Sequence, residues 1–567
     1  MKIFLAQQNY HIGNFEKNVN KIIDAINIAK NNSADLIVFS ELCVCGYPPR
    51  DFLDFNDFIN KSYQSIEKIK QYADTIGVII GSPDRNPQRE GKDLFNAAFL
   101  LYEREIKGIA HKTCLPNYDV FDEYRYFEPA YAWNVIEFKG KKIALTICED
   151  IWNLGDNPLY RVCPMDILMK QDPDLMINIS ASPFDYTHDA DRRATIKSNV
   201  LKYKIPLIYC NATGSQTEII FDGASLVFDK DANLCYQLVQ FEEDLKEIIL
   251  NDDGTVESPV IEPALAVPDR LLEPLQFIPE LNIPQVYKAI ILGIRDYFSK
   301  MGFTKAIIGS SGGIDSAVTI ALACEALGKE NVRAILMPSE YSTSHSISDA
   351  EKLSKNLGNP YDIVFIRKIY DQFLHELKPT FAGTPFGIAE ENIQARTRGN
   401  LLMAIANKFG YILLNTSNKS ELAVGYGTLY GDMAGGIGVL GDCYKLQVYE
   451  LAKYINSAKE TSPAGRQIIP NNILTKAPSA ELKPDQKDTD SLPPYEILDQ
   501  ILYQYIERVQ GPAEIKAQGF DATLVDRILR MVNNNEYKRN QFCPIIRISP
   551  KAFGVGRRLP IVGSYLN

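Results

Sequence analysis

The chain has 567 residues, 46% of them hydrophobic and 23% charged, which is ordinary for globular protein but too long for one compact core, so at least two domains are expected. A formal net charge of −11 argues against a nucleic-acid binder, and any anionic substrate must meet cations or metal ions gathered locally. No segment reaches the apolar length of a membrane span, and the ten cysteines include no CxxC pair. A reduced, cytoplasmic compartment is expected, with "MKIFLAQQNY" as a first strand rather than a signal peptide.

In the first half, residues 14–30 and 55–73 carry helical periodicity. "ADLIVFSE", "GVIIGSP", "KIALTICED", "DLMINISAS" and "IPLIYCNAT" read as short buried strands. This alternation predicts a layered α/β domain. Glu41 closes one strand, Lys112 lies in "HKTCLPNYDVFDEYRYF", and Cys148 falls just past a strand in "IALTICEDIW", where catalytic residues of α/β domains collect. Glu149 and Asp150 beside the thiol disfavour a standing thiolate, so a base within reach matters more. Cys43, Cys45, Cys210, Cys235 and Cys324 read as small packing residues.

Six prolines between Pro259 and Pro284 disfavour regular structure and mark a linker over 251–284, dividing the chain into domains at 1–250 and 285–567. A helix begins near Gln285. The strands "KAIIGS", "VRAILMP" and "YDIVFI" then alternate with helices, the order of a parallel, doubly wound sheet. The loop-rich stretch from "KETSPAGR" to "SLPPYE" is long enough for a substrate lid. "GIGVLG", Gly436 to Gly441, satisfies GxGxxG but lacks a preceding strand, so it reads as a loop.

"SGGIDS" sits between a strand and a helix, where backbone N–H groups and the helix dipole hold anions. No GxxxxGK[ST] occurs anywhere in the chain, so hydrolysis of a γ-phosphate by a P-loop is not expected. Asp315, where that loop offers a lysine, makes sense if phosphates arrive with Mg²⁺.

These residues resemble the ATP pyrophosphatase signature. With "EENIQARTRGNLLMAIAN", "NTSNKSELAVGYGTLYGDMAGG", "KAPSAELKPDQKDTDSLPPYE" and "EYKRNQ", most of 285–567 is similar to NAD⁺ synthetases. The resemblance implies an adenine nucleotide alpha hydrolase-like domain. In it ATP adenylates the carboxylate of deamido-NAD⁺, pyrophosphate leaves, and ammonia displaces AMP. Gly309, Ser310, Ser311, Gly312, Gly313, Ile314, Asp315, Ser316, Thr416 and Lys445 would bind ATP. Asn392, Arg396, Glu421, Asp432, Lys487, Asp488 and Lys538 would contact deamido-NAD⁺. Asp315, Glu421 and Ser479 would hold Mg²⁺. Val439 departs from the family pattern, which usually has proline there.

Neutral solutions hold ammonia as ammonium, which has no lone pair to attack an adenylate, so releasing ammonia inside an enzyme is advantageous. Glu41, Lys112 and Cys148, in that order with these neighbours, resemble the nitrilase superfamily of carbon–nitrogen hydrolases, a resemblance that runs over roughly residues 1–240. It implies an α-β-β-α sandwich acting as a glutaminase: Cys148 as nucleophile, Glu41 as general base and acid, Lys112 as oxyanion stabiliser. Tyr118, Glu149 and Ser182 match glutamine-binding positions. His188 stands where the family commonly has lysine or arginine, so either His188, Arg192 or Arg193 would take the substrate carboxylate, or the site would be weaker.

The resemblances together imply a glutamine-hydrolysing, ATP-dependent synthetase that channels ammonia from one domain to the other. It would be a homo-oligomer built on synthetase-domain dimers, with no nucleic-acid or membrane partner. The rival readings are another adenylating amidotransferase with the same ATP loop, or a nucleotide-binding protein with an inactive hydrolase half.

Overall fold

The computed structural model describes every residue except 89, 155–157, 258–282, 458–466, 480, 484–486 and 567. It divides into two compact units, Met1–Pro268 and Asp269–Asn567. Most of the expected proline-rich linker lies outside the described residues. Its first residues, 251–257, fold back on the first unit, where the Glu257 N–H donates to the Ile249 carbonyl at 3.0 Å.

The first unit contains two six-stranded mixed sheets. One comprises β1 (Lys2–Gln7), β2 (Leu36–Phe39), β3 (Gly77–Arg85), β4 (Leu94–Tyr102), β5 (Glu105–His111) and, beside β1, β14 (Asp244–Ile249). The other runs β13-β12-β9-β8-β7-β6, from Leu234–Gln237 through Leu226–Phe228, Leu207–Asn211, Leu175–Ser180 and Lys141–Ile147 to Ile136–Phe138. β10 (Thr213–Gln216) and β11 (Ile219–Asp222) form a hairpin apart.

Ile3, Leu5, Val38 and Ile79 of the first sheet pack with Leu145, Ile177 and Ile208 of the second in one core between the sheets. The outer faces are covered too. Helices α1 (Phe15–Asn31) and α2 (Asn56–Lys70) bury Ile22, Ile26 and Ile66 against Phe4, Ile37 and Val78. Helices α3 (Pro164–Leu168) and α4 (His188–Tyr203) bury Met165, Ile196 and Val200 against Ala144, Met176 and Tyr209. Strands apolar on both faces, as β2, β8 and β9 are, need this double cover, and the result is the expected α-β-β-α sandwich. α1 starts where its sequence says it should, with the Asn14 side chain accepting the Lys17 N–H.

The second unit alternates helix and strand: α5 (Ile283–Met301), β15 (Ala306–Gly309), α6 (Ile314–Leu327), β16 (Val332–Leu336), α7 (Ser344–Leu357), β17 (Tyr361–Ile363), α8 (Arg367–Leu377), α9 (Ile388–Phe409), β18 (Ile412–Asn415), α10 (Lys419–Val424), β19 (Ile437–Gly438) and α11 (Lys445–Ser457). The sheet is parallel, ordered β17-β16-β15-β18-β19. Strand order reverses beside β15, and crevices at such switch points, outside the carboxyl ends of the strands, hold ligands in doubly wound folds.

Among the described residues five further helices follow: α12 (Asn471–Thr475), α13 (Tyr495–Ile506), α14 (Pro512–Ala517), α15 (Ala522–Asn534) and α16 (Glu536–Arg539). Leu498 and Ile501 of α13 and Val525 and Ile528 of α15 share one core with Leu422 and Val424 of α10.

The "GIGVLG" stretch differs from its expected loop: Ile437 and Gly438 form β19, paired with Leu414 and Asn415. Its glycines permit close packing rather than phosphate approach. A Cβ on Gly438 would meet the Phe542 ring at 2.9 Å, and one on Gly441 would meet Ile545 at 2.9 Å.

Candidate active sites

In the first unit Glu41, Lys112 and Cys148 each follow the end of a strand, β2, β5 and β7 respectively, and all three side chains are buried. The Lys112 ammonium donates to Glu41 at 2.7 Å and to Glu123 at 2.8 Å. Asn96 donates to the same Glu41 oxygen at 2.7 Å, and the Ala181 N–H donates to the other at 2.9 Å. Tyr47 donates to Glu123 at 2.8 Å.

Burial alone would depress the Lys112 pKa, but the Glu123 and Glu41 carboxylates hold it above its ordinary value. Burial and the Glu41 charge push the Cys148 thiol up, while Lys112 pulls the other way. The protonated thiol is thereby favoured. Cys148 itself has φ +44°, a left-handed conformation uncommon for residues other than glycine.

Glu123 escaped the sequence reading. It lies eleven residues past Lys112, in a stretch whose acids look like a solvated face, yet it is buried beside the lysine. Burial raises its pKa despite the pull of Lys112.

The expected glutamine-binding residues fall in two groups. Glu149 is buried and accepts from Tyr118 at 2.9 Å and Tyr160 at 3.3 Å. Ser182 Oγ lies 2.9 Å from His188 Nε2, and the imidazole stacks on Trp152 with centroids 4.9 Å apart. Arg192 is fully buried in a bidentate pair with Asp222, at 2.6 and 3.0 Å. Arg193 is held by Asp189 at 3.0 Å and Gln237 at 2.7 Å.

In the second unit, "SGGIDS" joins β15 to α6 at the switch point. Gly312 has φ +79°, and a Cβ there would lie 2.3 Å from the Ser346 carbonyl oxygen, so only glycine fits. Ser316 Oγ lies 3.1 Å from Ser311 Oγ and donates to the Gly313 carbonyl at 3.0 Å. Ser310 Oγ is buried with no hydrogen-bond partner among the described residues. Thr416 directly follows β18, at the same end of the sheet.

Three expected residues converge at the head of α6. Lys445, first residue of α11, donates to Asp315 at 2.6 Å and to Glu421 at 3.3 Å. Asn418 donates to the other Asp315 oxygen at 2.9 Å and caps α10, which carries Glu421. Tyr495 lies under the Lys445 ammonium, 5.4 Å from ring centroid to nitrogen, and donates to the buried Asp488 at 2.9 Å. Burial, then the Asp315 charge, push Glu421 well above the usual carboxylate range.

A divalent cation would relieve that pressure, and two carboxylates beside a phosphate loop suit Mg²⁺, which usually takes one or two protein oxygens plus substrate phosphates. Among the described residues no cluster of three or more His, Cys, Asp or Glu forms a closed metal cage. Ser479 lies in the segment after α12, where its Oγ accepts the Glu481 N–H at 3.1 Å.

The remaining candidates gather around residues 425–432. Thr428 donates its hydroxyl to Asn392 at 2.7 Å and its N–H to Asp432 at 2.6 Å. Arg396 donates to the Leu429 carbonyl at 3.2 Å, and Lys538 to the Gly425 and Gly427 carbonyls at 2.8 and 2.9 Å. Lys487 is exposed, with its N–H donating to Asp490 at 2.9 Å.

Lys419 also went unnoticed in the sequence. Fully buried, it pairs with Asp442 at 2.8 Å and Glu507 at 2.7 Å and donates to Ser549 at 2.8 Å. Lys419 is two residues before Glu421 and Asp442 three before Lys445, so this pair clips together the two backbone segments that bear the site.

Comparison with known proteins accords with this division. Residues 2–251 match the carbon-nitrogen hydrolase family and residues 286–542 the NAD synthase family. The chain is 42% identical to a glutamine-dependent NAD(+) synthetase of Synechocystis sp., over 99% of each chain. It is 40% identical to one of Thermotoga maritima, over 100% of this chain and 99% of that one. The solved structure of glutamine-dependent NAD+ synthetase from Acinetobacter baumannii in complex with ADP superposes with a TM-score of 0.76 at 36% identity, over 99% of this chain and 98% of that one.

Proposed function

We propose a reaction for this chain from one premise: it belongs to the glutamine-dependent NAD⁺ synthetase family. It converts deamido-NAD⁺ to NAD⁺ with ATP and L-glutamine, releasing AMP, pyrophosphate and glutamate. The observation that carries this reading is the presence, in one chain, of a buried Glu41–Lys112–Glu123 array beside Cys148 and a Lys445–Asp315–Glu421 cluster at a phosphate loop.

At the first site Glu41 removes the Cys148 proton as the sulfur attacks the glutamine carboxamide, and the Lys112 ammonium faces the developing oxyanion. Collapse of that intermediate expels ammonia, which leaves with the proton returned by Glu41. Water then cleaves the thioester with the same carboxylate as base, freeing glutamate. Tyr118, Glu149 and Ser182 orient glutamine, and His188 receives its α-carboxylate.

At the second site the loop from Gly309 to Ser316 holds the ATP phosphates through backbone N–H groups and serine hydroxyls, with Thr416 at its edge. The deamido-NAD⁺ carboxylate attacks the α-phosphorus and pyrophosphate departs. Lys445 balances charge on the leaving group. Asp315, Glu421 and Ser479 would hold Mg²⁺, which when bound neutralises phosphate charge. Asn392, Arg396, Asp432, Lys487, Asp488 and Lys538 position the dinucleotide. Ammonia from the first site displaces AMP from the adenylate.

An apolar face on the second unit supports a homo-oligomer built on synthetase-domain dimers. Phe365, Ile369, Phe373, Phe386 and Ile388 are all exposed there, and Tyr370 is the buried residue of α8. Cysteine usage supports a cytoplasmic setting.

The test is product formation from deamido-NAD⁺, ATP and glutamine. Cys148→Ala should abolish NAD⁺ formation from glutamine and spare formation from ammonium. Failure of the wild-type chain to form AMP with deamido-NAD⁺, while another carboxylate supports AMP release, would favour a different adenylating amidotransferase.

A further inference from the structure

Asp150 is buried two residues past the nucleophile, and its carboxylate makes no ion pair among the described residues. All its bonds go to backbone. One oxygen accepts the N–H groups of Thr113 and Cys114, both at 2.9 Å, and the other accepts the N–H of Ile147 at 3.0 Å. Those donors belong to two distant segments. Thr113 and Cys114 directly follow Lys112, and Ile147 directly precedes Cys148.

The backbone around Lys112 explains why such a tie matters. The Lys112 N–H still donates to Asn96 at 2.8 Å, and its carbonyl accepts the Ala130 N–H at 2.9 Å. Beyond that point the chain leaves the strand, and the next two N–H groups find their acceptor in Asp150. At the other end, Cys148 holds its left-handed conformation, which persists only where the surroundings over-determine it. The bond to Ile147 fixes the peptide leading into that turn, and Asn178 donates to the Cys148 carbonyl at 3.4 Å.

A buried carboxylate is costly, and burial pushes this one up to about 6. Three buried N–H donors give it a structural return that no apolar side chain could match.

We propose that Asp150 is a positioning residue for amide cleavage: a single carboxylate sets the placement of the Cys148 turn relative to the Lys112 segment, so that thiol and oxyanion-stabilising ammonium stay aligned through acyl transfer. This rests on the reading of Cys148 and Lys112 as the amidase centre. Asp150 touches neither substrate nor the reacting atoms in this role. Its effect therefore falls on turnover rather than on glutamine binding.

The test compares Asp150→Asn, Asp150→Glu and Cys148→Ala in the full chain, measuring glutamine hydrolysis, glutamine KM, thermal melting and NAD⁺ formation from ammonium. Asp150→Asn keeps the size but points an amide N–H₂ at backbone donors. Its turnover should fall about 100-fold or more, with KM within about threefold of wild type, as expected when a misplacement of about 1 Å disturbs aligned groups. Ammonium-supported synthesis should stay within about twofold, because the second site is untouched. Asp150→Glu keeps charge and both oxygens but adds a methylene, and should lose about tenfold in turnover at similar KM.

Turnover of Asp150→Asn within about threefold of wild type would overturn the proposal, and so would a rise in KM that accounts for the whole loss of kcat/KM. If that variant does not melt cooperatively, Asp150→Glu decides: unchanged turnover overturns the proposal, and reduced turnover at unchanged KM upholds it. Glutamine hydrolysis by Cys148→Ala at the wild-type rate would instead remove the amidase reading itself.

Discussion

The Lys445 ammonium lies 2.6 Å from the Asp315 carboxylate, across 130 positions of sequence. The acid at the head of α6 is where a P-loop would carry its lysine, and the cation reaches the loop from the first residue of α11 instead. Burial would depress the lysine, but Asp315 and Glu421 keep it firmly charged. Lys445→Met should therefore lower NAD⁺ formation by about 100-fold or more, the scale seen when one electrostatic stabiliser of a transition state is lost. Glutamine hydrolysis, measured on the same preparation, should persist.

Glu123 shares the Lys112 ammonium with Glu41. Removing its charge leaves Glu41 as the sole counterion, which binds the lysine more tightly and makes Glu41 a poorer base. Glu123→Gln should reduce glutaminase kcat by about 100-fold with little change in glutamine KM. Steady-state glutamate release checks both numbers.

Arg192 and Arg193 are engaged by Asp222 and Asp189, and the reaction proposed above gives the glutamine carboxylate to His188, which stacks on Trp152 beside Ser182. His188→Ala should raise glutamine KM about tenfold and leave kcat nearly unchanged, the signature of lost ground-state binding. A matching KM rise in Arg193→Ala, with His188→Ala silent, would assign the carboxylate to the arginine.

Acid should silence the first site before it unfolds the chain. Burial raises Asp150 to about 6, in an environment shared with Lys112, Cys114 and Glu149. Above that pH its ionised oxygens accept three N–H groups. Below it, a proton on one oxygen meets a backbone donor. Glutaminase kcat should fall on the acid side as Glu123, raised by burial to about 7, and then Asp150 take up protons, and the Asp150 part of that limb should be absent from the residual turnover of Asp150→Asn. A kcat–pH profile of the two proteins tests this.

Lys419, Asp442 and Glu507 form a fully buried charge network. Lys419→Met strands two carboxylates in the interior, which should cost about 3–5 kcal/mol. Denaturant titration of wild type and variant, followed with NAD⁺ formation as the second readout, measures the loss.

Much of this molecule is legible in its sequence because burial on both faces leaves uninterrupted apolar runs. "ADLIVF" and "DLMINIS" become β2 and β8, and the glycines of "SGGIDS" announce the tight approach later seen between Gly312 and Ser346. Glu41, Lys112, Asp315 and Lys445 stand out through their neighbours along the chain. Glu123 and Lys419 do not, and Asp150 shows in the sequence only as a charge beside the thiol. Charged residues are normally solvated, and what distinguishes these three is burial against partners far along the chain: 76 positions from Glu123 to Tyr47, 36 and 37 from Asp150 to Cys114 and Thr113, and 88 or more for the Lys419 contacts to Glu507 and Ser549. One-dimensional patterns carry no record of such meetings. The two-residue strand β19 is too short to show any period at all.

Cys148 occupies a backbone conformation, φ +44°, that disfavours every side chain by about 1–3 kcal/mol and glycine hardly at all. Selection for the reaction and selection for a robust fold thus act in opposite directions on one position. Cys148→Gly would therefore relieve the turn and remove the thiol in one change.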